Sequence, residues 1–288
     1  MAIMYNNQNV DESYSDKLEA NLYYGSVLVP GVTCDDSFMR GPGGGIYVHK
    51  LATGTATPGK PGTDFSDEKT SDNLIQIVMN NCFQKSKKIY NVQAAACGAD
   101  LKDANLAAAQ AEVREGWCLS GLACLATEGT AAADTTVPTA SNCIDLVIDT
   151  RTEIVTAKGT ADVVMCSPKF YAMVLKYAGK EFQPSTNDRI RSSGNVGTYL
   201  GMTWIEANGM AATSAKYYNY GGTLKTVDLS GIDFMVYNHE TLSVVSNIDM
   251  ARLVDSEMFN GCKAQVEQNT GYRVRNATLA RIHKGAAG

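Results

Sequence analysis

Two short stretches, Ile46-Tyr47-Val48-His49-Lys50-Leu51 and Leu74-Ile75-Gln76-Ile77-Val78-Met79, decide how this chain folds. Each places apolar and polar side chains on alternate sides, as a strand does. Between them, Ala52 to Asn73 holds Gly54, Pro58, Gly59, Pro61 and Gly62 among Thr, Ser, Asp, Glu and Lys, with Phe65 as its one large apolar group. Such a segment has turn chemistry but no core. Gly43 to Val92 therefore reads as a two-stranded arm with a polar tip. An isolated ribbon is marginal in water, so one this long is expected to lie on another subunit, and the arm predicts an assembly.

Around the arm the chain is ordinary and globular. Its 288 residues are 44% hydrophobic, enough to bury a sizeable core in one large domain or two lobes. No run approaches the ~20 apolar residues that span a bilayer, and the first twenty residues lack the apolar segment of a signal peptide. A cytoplasmic product without membrane contact is expected. The formal net charge is -5 and the basic residues are scattered, so contact with nucleic acid is expected to be weak and unspecific.

The residues that carry chemistry are present without the spacing that chemistry needs. Cys34, Cys82, Cys97, Cys118, Cys124, Cys143, Cys166 and Cys262 include no C-x-x-C pair, and several fall inside apolar patterns, so free buried thiols are expected. His49, His239 and His283 lie far apart, each as a surface or sheet residue. Gly41-Pro42-Gly43-Gly44-Gly45 leads into a strand and lacks a following Gly-Lys-Ser/Thr, so it reads as a hinge at the root of the arm and not as a phosphate cradle. There is no Gly-x-Ser-x-Gly elbow. Asn276-Ala277-Thr278 matches a glycosylation acceptor, but a chain without a secretion signal does not meet the enzyme. Neither a catalytic site, a metal site nor a cofactor is expected.

The rest of the sequence alternates helices and strands. Met1 to about Val29 is polar, with one helical hint at Ser15 to Tyr23, and reads as an extended arm that orders on contact. Asp100 and Asp103 announce a long helix from Leu101 to Thr127, whose face of Leu106, Ala109, Val113, Trp117 and Cys124 is widened by Leu119, Leu122 and Leu125 into burial on several sides. After a Thr/Ala/Pro linker, Asn142 and Asp145 start a second helix, closed by Gly159 just after Lys158. Asp162 to Cys166 is a buried strand, and Ser167-Pro168 caps a helix through Tyr177. A polar loop, Gly179 to Gly197, precedes the strand Met202 to Glu206. Further strands are expected at Ile232–Tyr237, Leu242–Val245, Cys262–Gln268, Tyr272–Arg275 and Leu279–Lys284. The mixed order without repeating βαβ units makes the class α+β.

This order of parts resembles the major capsid protein of tailed double-stranded DNA bacteriophages, with the Hong Kong 97 type capsid fold. The resemblance is carried by Val164-Met165-Cys166-Ser167-Pro168-Lys169-Phe170-Tyr171, by Gly197-Thr198-Tyr199-Leu200-Gly201-Met202, and by Ala251 to Glu257 followed by Gln265-Val266-Glu267 and Thr270 to Val274. It covers nearly the whole chain. It implies an N-terminal arm (1–42), an extended hairpin loop (43–92), a spine helix with peripheral domain (93–141), an axial domain (142–230) and a return to the peripheral domain (231–288). Thr57, Pro58, Lys60, Asp64 and Phe65 would then touch a neighbouring subunit at the loop tip. Arg189 and Arg191, in the loop to Asn195, together with Met210 to Thr226, would point to the centre of a capsomer.

The implied function is mechanical and not enzymatic. Hexamers and pentamers of the chain would close an icosahedral shell around packaged double-stranded DNA, in a virion assembled in the host bacterial cytoplasm. The polar arm starting at Met1, without the cleaved scaffolding segment of some family members, implies a separate scaffolding protein, beside a portal and decoration proteins. Lys50, Lys60 and Lys69 are available for the inter-subunit cross-link of some members, but no catalytic Glu matches by position, so non-covalent locking is expected. An encapsulin shell is the alternative; the polar Met1 to Asn21 stands where encapsulins carry an amphipathic helix.

Overall fold

The computed structural model describes residues 27–37, 45–51, 72–92, 101–181 and 197–285. Its mechanical axis is helix α1, Leu101–Glu128, one residue longer than the apolar pattern predicts. At 1.5 Å per residue it runs about 40 Å. Its first half uses one face: Ala109 and Val113 pack with Val266, and Leu106 with Ile89, Cys262 and Ala264. In the second half every residue from Trp117 to Leu125 except Leu119 is buried, as the widened stripe requires.

A three-stranded antiparallel sheet lies along this helix, in the order β11 (Leu242–Asp255), β12 (Gly261–Val274), β3 (Asn81–Tyr90). In the distal part of β12, Cys262, Ala264 and Val266 face α1 while Lys263, Gln265 and Glu267 face outward, so the sheet there covers a core with one side only. Two expectations are corrected here. The pieces Cys262–Gln268 and Tyr272–Arg275 are one continuous strand through Thr270-Gly271, and the strand starting at Leu242 continues to Asp255 past an irregularity between Ser246 and Ile248. The second correction concerns the arm: Asn81–Tyr90 pairs with β12 over ten residues, so this part of Gly43–Val92 belongs to the body's own sheet. The ribbon proper is β1 (Gly45–Leu51) with β2 (Asp72–Val78), antiparallel, with Ile46 opposite Ile77.

A second, six-stranded sheet forms the other lobe, in the order β4 (Thr130–Ala131), β13 (Ala280–His283), β10 (Phe234–Tyr237), β5 (Val163–Cys166), β7 (Met202–Glu206), β6 (Gly197–Tyr199). Both faces of its centre are covered. Val164, Cys166, Phe234 and Val236 pack under α2 (Cys143–Thr156) and α3 (Pro168–Glu181), whereas Val163, Met165, Met235 and Tyr237 join the core built on α1. Burial on two sides is why Val163-Val164-Met165-Cys166 is apolar throughout instead of alternating. These helices and sheets in mixed order are α+β.

Local signals work as expected at Ser167, whose Oγ accepts from the Phe170 amide at 3.3 Å to cap α3. They differ at α2. The Asn142 side chain does not cap the helix; its Oδ1 accepts from the Thr139 amide (2.6 Å) and hydroxyl (2.9 Å) and so ties the preceding linker. At the other end Lys158, not Gly159, holds the left-handed conformation (φ 64°), with Lys158 N–H bonded to the Val155 carbonyl and Gly159 N–H to that of Ile154. This is a Schellman closure with lysine in the glycine place. A Cβ at Gly159 would meet Leu279 Cδ2 at 2.1 Å, a side-chain end that can turn aside, and the Ile154 carbonyl oxygen at 3.2 Å.

Candidate assembly surfaces

The ribbon presents two different faces. Ile46, Val48, Ile75 and Ile77 share one; Ile77 is fully buried and the other three are half-buried against the body. Tyr47, His49, Leu74 and Gln76 share the other and are exposed, with Tyr47 at 60% and Leu74 at 58% relative accessibility. Gln76 Nε2 donates to Tyr47 Oη at 3.1 Å, holding the tyrosine across the pair. Tyr47 and Leu74 occupy diagonal positions of this exposed ribbon face, opposite Gln76 and His49 respectively.

The root of the ribbon is fixed by two asparagines that no motif marks. Asn80 Nδ2 donates to the Asn219 carbonyl at 2.6 Å, and Asn81 bonds the backbone of Tyr218. Both acceptors belong to a small hairpin, β8 (Ala215–Tyr218) with β9 (Leu224–Val227), which sits on α1 through Tyr217 and through Ser120 Oγ donating to the Lys216 carbonyl at 2.6 Å. The segment Met210 to Thr226 is thus seated on the long helix and joined to the ribbon's root. Gly271 completes the joint: a Cβ there would meet the Val78 carbonyl oxygen at 2.6 Å.

A second exposed apolar surface lies at the far end of the three-stranded sheet. Tyr90 packs on Phe259 with ring centroids 5.0 Å apart, Lys88 and Lys263 each lie over the Phe259 ring, and Met258 beside it is 89% exposed. Ion pairs lock the body between these surfaces. Glu112 binds both Lys85 (2.6 Å) and Lys87 (2.7 Å), and Glu128 holds Arg273 (3.2 Å) and the Val274 amide (3.0 Å). Burial alone would push the Glu112 carboxyl up, but hydrogen bonds from Lys85 and Lys87 outweigh it and leave it below the usual range.

Thr57, Pro58, Lys60, Asp64 and Phe65 lie in 52–71, and Arg189 and Arg191 in 182–196, outside the described residues. Cys97 is outside them too. Cys34, Cys118, Cys124, Cys143, Cys166 and Cys262 are buried free thiols, while Cys82 is exposed on the outer face of β3. Burial pushes the Cys34 thiol up to about 12 and those of Cys124 and Cys166 well above their ordinary value, so these are packing groups held protonated. His49 is exposed on the ribbon; His239 pairs with Asp162; His283, fully buried, stacks on Phe234 and bonds Asp233 Oδ2 at 3.1 Å. Among the described residues no three metal-ligating side chains converge, and no helix is long and apolar enough to cross a membrane.

No family model and no curated protein matches the sequence. Solved structures do match over its whole length. A structure from Mycobacterium phage Che8 aligns with a TM-score of 0.72 at 16% identity, covering 96% of this chain and 97% of that one. The capsid structure of Cyanophage P-SCSP1u aligns at 0.73 and 10% identity, covering 97% and 94%. The asymmetric unit of the bacteriophage PhiM1 mature capsid gives 0.69 at 12% identity, covering 96% and 92%. The fold class is therefore that of phage shell subunits. Specifically, the chain has the Hong Kong 97 type capsid fold, as the order of its parts implied.

Proposed function

We propose that the chain is the structural subunit of an icosahedral bacteriophage capsid, assembling as hexamers and pentamers that close around packaged double-stranded DNA. One observation carries this reading: end-to-end likeness to capsid structures in a chain whose ribbon turns Tyr47 and Leu74 outward. A group buried against its own body needs no partner, but an exposed aromatic-aliphatic pair on a thin ribbon gains from one. The work done is mechanical and requires no reaction at any side chain.

Within this reading 1–42 is the N-terminal arm, 43–92 the extended loop with its 81–90 stretch returning into the body's sheet, 93–141 the spine with part of the peripheral domain, 142–230 the axial domain and 231–288 the remaining peripheral strands. Thr57, Pro58, Lys60, Asp64 and Phe65 contact a neighbour from the loop tip, and Arg189 and Arg191 line the capsomer centre. A scaffolding protein, a portal and decoration proteins are its partners, and assembly takes place in the host cytoplasm. DNA is held by non-specific contact, consistent with the net charge of -5.

Electron microscopy of the purified chain tests the proposal. Closed particles are expected, and a stable monomer at physiological salt would overturn it. Nuclease-resistant DNA within particles from infected cells distinguishes a virus shell from an encapsulin, which would hold an enzyme cargo.

A further inference from the structure

The sequence contains two Asn-Gly dipeptides, Asn208-Gly209 and Asn260-Gly261, and the fold treats them differently. Asparagine before glycine is the pairing most open to spontaneous loss of its amide, because no following side chain keeps the next backbone nitrogen from the asparagine Cγ. At Asn208-Gly209 that approach is closed. Asn208–Ala211 is a short 3-10 helix, and helical side chains lean toward the helix start, which carries Cγ away from the next nitrogen. Gly209 is also buried, with Leu119 and Leu122 at 3.0 and 3.2 Å from where a Cβ would stand.

Asn260-Gly261 lies instead at the tip where β11 turns into β12, with Asn260 exposed beside Phe259. The Asn91 amide donates to the Asn260 carbonyl at 3.1 Å, just outside the Gly261–Tyr90 pair, and the Ser256 amide donates to the Gly261 carbonyl at 3.0 Å. A strand pair flanked in this way is of the non-hydrogen-bonded kind, so Gly261 N–H points out of the β3 ladder and toward the turn. Asn91 Nδ2 donates to Asn260 Oδ1 at 2.7 Å, the oxygen on which negative charge builds when Cγ is attacked. Packing also fixes the glycine, since a Cβ at position 261 would meet the Ile89 carbonyl oxygen at 2.1 Å. The fold thus keeps a reactive dipeptide in the open. We infer that Asn260 is a site of spontaneous deamidation. The Gly261 nitrogen gives its proton to hydroxide and bonds to Asn260 Cγ, while the side-chain nitrogen leaves as ammonia. Water then opens the succinimide ring at either carbonyl, leaving aspartate or isoaspartate in place of Asn260. The new carboxylate stands next to the Phe259 ring that Lys88 and Lys263 cover, so this end of the sheet becomes more acidic with age. The inference goes beyond the shell reading and does not depend on it.

Ageing the folded full chain at mildly alkaline pH in heavy-oxygen water, followed by peptide mapping in a mass spectrometer, tests the inference. Heavy-oxygen aspartate and isoaspartate are expected at position 260, formed several-fold faster than at position 208. In concentrated urea, where the fold no longer separates the two dipeptides, their rates should converge. No conversion at position 260 in the folded chain, or equal rates at both positions while it is folded, overturns the inference. Asn260→Gln keeps an amide but closes its larger ring far more slowly, so the acidic species that accumulates on ion exchange should shrink several-fold in that variant. An unchanged acidic species there overturns the assignment as well.

Discussion

The side chain of Asn81 bonds the backbone of Tyr218 in both directions: Nδ2 donates to the Tyr218 carbonyl at 3.0 Å, and Oδ1 accepts from its amide at 2.8 Å. This two-way bond imitates a rung of sheet pairing between the first residue of β3 and the hairpin on α1. Asn81 is 4% exposed while Tyr218 at the edge of the hairpin is 43% exposed, so water can replace part of what the asparagine supplies. Asn81→Ala should cost about 1 kcal/mol, the net worth of the lost hydrogen bonds. Denaturant unfolding measures it, and Asn81→Asp, which sets an acceptor-only carboxylate against the Tyr218 carbonyl and Asn80 Oδ1, should lose more than Asn81→Ala.

Gly271 admits the ribbon. Because a Cβ would press on the backbone oxygen of Val78 and not on a side-chain end that can rotate away, Gly271→Ala must displace the ribbon or bend β12. Overpacking of this kind costs about 1–3 kcal/mol. A lowered unfolding midpoint is the expected outcome, and an unshifted one would show that the joint is loose.

The turn Leu200-Gly201 joins β6 to β7 with both residues at positive φ, 55° and 75°. That is the two-residue hairpin turn that favours Asn-Gly, so leucine at its first position is strained. Leu200→Asn should stabilise the protein by about 1 kcal/mol, raising its melting temperature by a few degrees. Gly201→Ala should act in the opposite sense.

Alkali should destabilise the fold through its buried thiols. Burial raises Cys34 from 9.0 to about 12 in the folded protein, with Asp36 adding to the effect. Between these values an unfolded chain releases the proton and a folded one keeps it, so the stability that Cys34 contributes is intact below pH 9 and is lost as pH climbs toward 12. Urea midpoints measured from pH 8 to 11 should fall, and Cys34→Ala should flatten the decline.

Tyr47→Ser combined with Leu74→Ser separates assembly from folding. Both side chains are exposed, so the effect on subunit stability should stay within about 0.5 kcal/mol. Particle yield, measured by sedimentation, should drop strongly. Equal yield would remove the ribbon's outer face from the contacts between subunits.

What could be read from sequence depended on whether a segment's signal was its own. Leu101 to Thr127 declared itself by a stripe that repeats at the helical period, and Ser167-Pro168 by a local cap. The ribbon strands alternated visibly. By contrast Asn81-Cys82-Phe83-Gln84-Lys85-Ser86-Lys87-Lys88-Ile89-Tyr90 is rich in lysine and is a strand because β12 pairs with it and Glu112 receives two of its lysines. Strand formation of that kind follows from pairing, not from intrinsic preference. Likewise Asn142 looked like a helix cap, but Thr139 offered its side chain two donors from the linker. The joint at Asn80 and Asn81 was invisible because its partners are backbone atoms more than a hundred residues away.

The lysines of β3 have a consequence beyond folding. Among the described residues β3 is the outer member of its sheet, an edge on which a strand of another copy could add. Lys85 and Lys87 bridge from it to Glu112 and Lys88 lies over the Phe259 ring, so an added strand would have to displace long charged side chains, and stacking of edges into fibres is discouraged.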